Sequence, residues 1–302
     1  MESWPPLHYE SWKETVATLH MWTQIVGKIR LMQQPLVNHW WNVTLYPTSL
    51  GLTTSPMPYK SRSFEIAFDF VDQELQVDDS NGERFAFALE PMSVAAFYRR
   101  LMDGLRELNI NVAIHTKPSE VADAIPFELD TAHCSYDGEY VQRWWRVLSR
   151  IARLCKRFRA PFLGKASPTH FFWGAFDLAQ SLFSGRAAPP HPGGIPNIPD
   201  TVTREGYSHE VFSVGFWPGG HGLDAMLYAY IYPLADGFDR EVVQPAAAGW
   251  NAALKEFVLP YEALRTSPDP DRDVLAFFTT TYRAAASCAC WDRAALERPL
   301  SY

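Results

Sequence analysis

The spacing of apolar residues changes period several times along the chain, and each change predicts an element. Between residues 12 and 31 apolar positions recur at helical spacing, after which "WWNVTLYP" (40–47) alternates until a proline stops it. In "SFEIAFDFV" Phe64, Ile66, Phe68 and Phe70 share one face of a strand while Glu65 and Asp69 take the other. "RFAFAL" repeats the pattern with Phe85, Phe87 and Leu89, and "DDSNGE" between them carries an Asn-Gly turn signal. These segments predict an antiparallel meander with one apolar face, covered by the amphipathic "SVAAFYRRLMDGLREL" (93–108) and closed by a short strand at "NVAIH".

Residues 116–140 show no sustained period and read either as a boundary or as a loop lining a site. From 139 to 159 the period is helical again, with Val141, Trp144, Leu148, Ile151, Cys155 and Phe158 in one stripe. Arg143, Arg146, Arg150, Arg153 and Arg157 lie opposite, as a solvated face or an anion-binding one. The five prolines of 187–203 exclude a helix or central strand and predict a long ordered loop or a mobile lid. Two strands follow, "YSHEVFSVGFWPG" and "AMLYAYIYP", then helices over 245–258 and 271–287. The expected fold class is α+β, with antiparallel sheets and flanking helices, as one large unit over residues 1–302. A sheet-rich 1–120 and a helix-rich 121–302 are the natural subdivision. "HWWNVTLYPTSLGL" loosely echoes "HEVFSVGFWPGGHGL", which would suit two pseudo-equivalent halves around a central cleft.

With 27 basic and 34 acidic residues the net charge is −7, which argues against general binding to nucleic acid or anionic membrane. Cys134, Cys155, Cys288 and Cys290 are too few and too irregular for a disulfide framework. The opening "MESWPPLHYESW" has no basic region leading into an apolar run, and no stretch approaches the ~20 apolar residues of a membrane span. These features predict a soluble, cytoplasmic protein whose partner is a small molecule; oligomeric state is not readable. P-loop, strand-linked GxGxxG, HExxH and GxSxG motifs are absent from the sequence.

The richest stretch for chemistry is "GKASPTHFFWGAFDLAQSLFSGR" (164–186). Ser167 suits an N-cap and Pro168 the first helical position, and at ~100° per residue His170, Gly174, Asp177 and Ser181 then fall in one stripe. The remaining faces are apolar, which predicts a buried helix whose polar stripe floors a cavity, with room above Gly174. Asp177 needs a partner there, and Lys165 and Arg186 are candidates. In "YSHEVFSVGFWPGG" strand alternation puts Tyr207, His209, Ser213 and Gly215 on one face and Glu210 on the other. The next strand sets Tyr228 and Tyr230 in a row.

His170 and Asp177 are too far apart on a helix to grip one ion, so a divalent metal would require ligands drawn from His133, His170, His209 and Glu210. The expected function is an enzyme acting on a small molecule, with His170 or His209 as acid or base and Asp177 orienting. Lys165, Trp173, Gly174, Arg186, Tyr207, Glu210, Trp217, Tyr228 and Tyr230 are its substrate-binding candidates. The alternatives are a mononuclear metal enzyme and a non-catalytic protein holding an apolar ligand.

The 164–186 stretch, taken with "YSHE…GFWPG" and "YAYIYP", resembles a bacterial family catalogued as domain of unknown function 5996 over most of the chain. The pattern falls on Gly164, Lys165, Ser167, Pro168, His170, Phe172, Trp173, Gly174, Asp177 and Leu178, then Phe183 to Arg186, Tyr207 to Glu210 and Gly215 to Pro218. An arginine commonly precedes the FSGR element in that pattern, whereas this chain has Leu182, which removes one usual partner of Asp177. The resemblance implies no activity.

Overall fold

The computed structural model describes residues 3–298. Helix α1 (Lys13–Gln33) has apolar residues on nearly every side, and a helix of that kind has to be buried all round. It lies against a first antiparallel sheet built from β1 (Tyr46–Pro47), β2 (Gly51–Thr53), β3 (Met57–Tyr59), β4 (Arg62–Asp69), β5 (Glu74–Asp79) and β6 (Arg84–Ala88), in the order β1-β2-β4-β5-β6 with β3 also on β4. Alternation buries Phe64, Ile66 and Phe68 on one face of β4. Helix α2 (Val94–Glu107) covers that face, its first turn capped by Ser93, which accepts from the Ala96 N–H. Phe97 of α2 stacks on Trp22 of α1, centroids 4.7 Å apart, so sheet and helices share one core.

Helix α3 (Gly138–Arg159), capped by Asp137, leads into the second sheet. Its strands are β7 (His170–Phe172), β8 (Asp177–Ala187), β9 (His209–Gly220), β10 (Leu223–Tyr232), β11 (Gly249–Asn251) and β12 (Glu256–Pro260), in the antiparallel order β11-β12-β10-β9-β8-β7. A short helix α4 (Asp200–Gly206) precedes β9, and α5 (Tyr261–Arg265), α6 (Pro270–Cys288) and α7 (Arg293–Leu296) close the chain. One face of this sheet carries Leu178, Phe212, Phe216 and Leu227, all fully or almost fully buried, where α3 and α6 bring Phe158 and Tyr282 against Phe212. The other face carries Asp177, Ser181, Ser213, Tyr228, Tyr230 and Glu256. Reciprocal backbone bonds between Leu45 and Phe171, of 3.0 and 2.9 Å, tie the two sheets together.

Several local expectations are corrected. Residues 164–186 form no helix: they hold the hairpin β7–β8, with a turn at 173–176. Ser167 acts there not as a helix cap but as an acceptor for the Ser181 N–H at 2.9 Å. Pairing along β9 decides the outcome, since it buries Leu178 and Leu182 while keeping Asp177, Ala179 and Ser181 on the opposite face. Residues 245–258 also fold as a hairpin: Trp250, Ala253, Leu254 and Phe257 have helical spacing, but Asn251 accepts from Ala253 and Leu254 to make a turn, and Trp250 pairs with Phe257 across it. "NVAIH" forms no strand, and the first half of 40–47 belongs to a 3-10 helix (Asn38–Val43), with strand only at Tyr46–Pro47. The echoing segments therefore differ in structure, and the two sheets differ in strand order.

Gly27 of α1 exists for packing: a Cβ there would sit 2.3 Å from the Trp173 indole, which is itself fixed by a 2.6 Å bond from Nε1 to the Val43 carbonyl. Alanine favours a helix interior by ~1 kcal/mol over glycine, but overpacking costs ~1–3 kcal/mol. Gly27→Ala should therefore lower the stability measured by urea unfolding, by up to about 2 kcal/mol; a raised midpoint would contradict the close approach.

Candidate active site

The polar face of the second sheet floors a cleft of about 630 Å³. Its other walls come from the 119–120 loop, the turn at 173–176, Trp40 and Trp41, and the 195–207 segment. Gly215 of β9 makes room in the floor: a Cβ there would lie 2.3 Å from the Tyr228 hydroxyl. Tyr228 consequently reaches over β9 and donates a hydrogen bond to the Asp177 carboxylate. Beside it the hydroxyls of Tyr207 and Tyr230 are hydrogen-bonded at 3.0 Å.

Helix α1 sets the position of the walls. Its His20, Gln24 and Lys28 are spaced by four residues and share a stripe. The fully buried Gln24 amide bonds both the N–H and the carbonyl of Ser119, each at 2.8 Å, and Lys28 donates to the Ser119 hydroxyl. His20 donates from Nε2 to the Gly174 carbonyl at 2.8 Å. Across the cleft the Pro-rich segment is tied to the same loop, because Glu120 N–H donates to the Pro196 carbonyl and Asn197 to that of Val121. The space over Gly174 is thus filled by Glu120: a Cβ at residue 174 would be 1.9 Å from its Oε1. Five of the twelve non-glycine residues with positive φ, His39, Trp40, Glu120, Asn197 and His221, line this one cleft. Each costs of order 1 kcal/mol, and such strain gathers at working sites.

Three carboxyl groups face the cleft without a cationic partner. Burial, opposed by the Tyr228 hydrogen bond, raises Asp177 to about 6. Burial and then the charge of Asp177 raise Glu120 and Glu256 each to about 7. Among the described residues the side chains of Glu120 and Glu256 make no hydrogen bond or ion pair. Burial also holds the three tyrosines neutral, Tyr207 at about 12 and Tyr228 and Tyr230 well above their ordinary value. Lys28 is lowered to about 8 by burial.

Of the residues singled out in the sequence, Trp173, Gly174, Asp177, Tyr207, Trp217, Tyr228 and Tyr230 line the cleft. His170 does not. It is 1% exposed among Trp41, Tyr46 and Phe172, neither ring nitrogen has a partner, and burial followed by the Arg30 charge depresses it to about 3. That environment removes it as an acid or base. His209 does not line the cleft either; its ring lies 5.7 Å from that of His39, which does. Lys165 donates to His39 Nε2 at 2.7 Å and lies over the rings of Trp41 and Phe183. Arg186 and Glu210 pair with each other on the opposite face of the sheet, and Arg186 also binds the Ala289 and Cys290 carbonyls, so both are structural. His133 is bonded to Asp130 at 2.7 Å, away from the other proposed metal ligands. Among the described residues no group of three or more His, Cys, Asp or Glu could hold a metal ion.

Comparison with known proteins adds the lineage. The model of a family described as a family of unknown function, DUF5996, matches residues 4–298. The chain belongs to this family. No curated protein and no solved structure matches it. No described helix of this DUF5996 chain is long and apolar enough to cross a membrane. A second depression, of about 1090 Å³, lies between α3 and α6 and is ringed by Arg153, Lys156, Arg157, Arg283 and Arg298. All five are exposed, as charges on a solvated face are. Unlike these charges, the carboxyl groups of the cleft are partly withdrawn from water.

Glu120, ordinarily near 4.5, titrates near 7 in the fold. Between these values only the folded state keeps the proton, so its contribution to stability falls as pH rises through that window. Glu120→Gln should unfold like the parent at pH 4 and be more stable by about 1–2 kcal/mol at pH 8; equal or lower stability at pH 8 would show that the carboxylate is compensated.

Proposed function

We propose that the protein is an enzyme that moves a proton to or from a small organic substrate held in this cleft, with Asp177 as the acid-base group. The observation that carries the reading is a carboxyl group titrating at about 6, hydrogen-bonded to a neutral phenol and facing an aromatic-walled cavity. A group with that titration populates both protonation states near neutrality, which general acid-base catalysis requires. Tyr228 orients the carboxyl and stabilises its anion. The Tyr207–Tyr230 pair, with one O–H spent between them, offers its remaining neutral O–H to an oxygen that gains charge during the reaction.

Convergent carboxyl groups favour this reading over a passive container for an apolar ligand, in whose walls they would be a cost without a use. The histidine chemistry expected from the sequence passes to carboxylates, since His170 is sealed from the cleft. His209 and Lys165 are not wall residues and bear on the cleft through His39.

Incubation of the purified protein with a soluble small-molecule extract, followed by mass spectrometry, should reveal a compound consumed by the parent. Consumption should drop about 10²- to 10⁴-fold with Asp177→Asn. Tyr228→Phe should retain more activity with its pH profile displaced upward, because the lost hydrogen bond had lowered the Asp177 pKa. Full-rate consumption by Asp177→Asn, or no compound consumed, would reject the proposal.

A further inference from the structure

We infer that the cleft receives an organic cation, specifically a protonated di- or polyamine, whose ammonium groups meet Glu120, Asp177 and Glu256. This assignment of substrate class rests on the cleft being the substrate site. The charged and titratable groups around the three carboxylates are Tyr207, Tyr228 and Tyr230 from the sheet side, His39 and His221 from the loops, and Lys28 from α1. None of them neutralises the carboxylates. The tyrosines are un-ionised, His39 already accepts from Lys165, Lys28 is engaged by Ser119 and the Trp173 face, and among the described residues His221 makes no hydrogen bond or ion pair with any of the three carboxylates.

Carboxylates removed from water are normally matched by Lys or Arg, and a site that omits the cation leaves a charge for a ligand to complete. Two features select an organic cation over a metal ion. Among the described residues the acids are too dispersed for three to share one ion, whereas a chain with several ammonium groups meets dispersed acceptors one at a time. The walls are also rich in aromatic residues, with Trp40, Trp41, Trp217, Tyr228 and Tyr230 lining the cleft, and aromatic rings pack on methylene spacers and attract cations. Hydrogen bonding has the same polarity, for an ionised carboxylate only accepts and an ammonium group only donates.

Binding a cation favours the ionised form of each acid, so protons leave as the ligand enters. Isothermal calorimetry with spermidine, at 0.15 M salt in two buffers of different ionisation enthalpy, measures both events. Spermidine should bind at pH 8 with release of protons at neutral pH, and its affinity should be at least tenfold weaker at pH 5.5, where it is still fully charged. Glu256→Gln and Glu120→Gln should each weaken it at least tenfold, while Asp72→Asn, at an exposed acid far from the cleft, should leave it unchanged. The neutral 1,8-octanediol and maltotriose should not bind. Absent spermidine binding, binding indifferent to these variants, or equal binding of a neutral probe overturns the inference. If spermidine fails while Asp177→Asn still stops consumption in the extract, only the substrate class is wrong. If spermidine binds with linked proton release while Asp177→Asn leaves consumption intact, the cation site stands and the acid-base role falls.

Discussion

The rest of the site depends on one buried side chain. Gln24, in the middle of a helix otherwise packed on all sides, bonds both the N–H and the carbonyl of Ser119. A loop has no ladder to satisfy its backbone, and an unpaired buried peptide group costs ~1–3 kcal/mol, so the amide fixes both the path and the register of the 119–120 segment. His20, one turn earlier, holds Gly174 in the same way. Glu120 and the β7–β8 turn are thereby brought together by a single rigid helix, and the floor strands bring Asp177, Tyr228 and Glu256 beneath them. Sites held on helices and strands keep their geometry better than sites on loops alone.

The second sheet shows a division of labour imposed by period two. Strands β8, β9 and β10 each give one set of side chains to the core under α3 and α6, and the alternate set to the cleft. The core set stabilises the fold through burial. The cleft set does the opposite, since together with the 119–120 loop it draws three carboxyl groups partly out of water and is framed by backbone in the left-handed region. Destabilising features gathered in one place, in a chain that folds well elsewhere, are what a working site costs its scaffold.

The sequence made the meander, its covering helix, α1, α3, α6 and the β9–β10 hairpin legible, because their periods are clean. It misled where two periods coincide. Residues 164–186 and 245–258 fit helical spacing over short windows, and only pairing with distant strands settles them. Asp177 and the tyrosines were found because polar groups inside apolar runs stand out. Glu120 was not, for it sits in a segment with no period to violate, and Glu256 was not, because it lies in the segment whose spacing reads as a helix. The stripe of His20, Gln24 and Lys28 was readable: it is the pattern of a buried helix with one polar face, and that argument belonged to α1 rather than to residues 164–186.

The central claim is that three carboxyl groups converge in the cleft with no protein cation to compensate them. Titration of the side-chain carboxyl carbons by ¹³C NMR, with Glu120→Gln, Asp177→Asn and Glu256→Gln to assign the resonances, tests it most directly. Midpoints near 7 for the two glutamates and near 6 for Asp177 are predicted, with each glutamate moving down when Asp177 is neutralised. Midpoints at the ordinary values of 4.5 and 3.8, unmoved by the substitutions, would contradict the account.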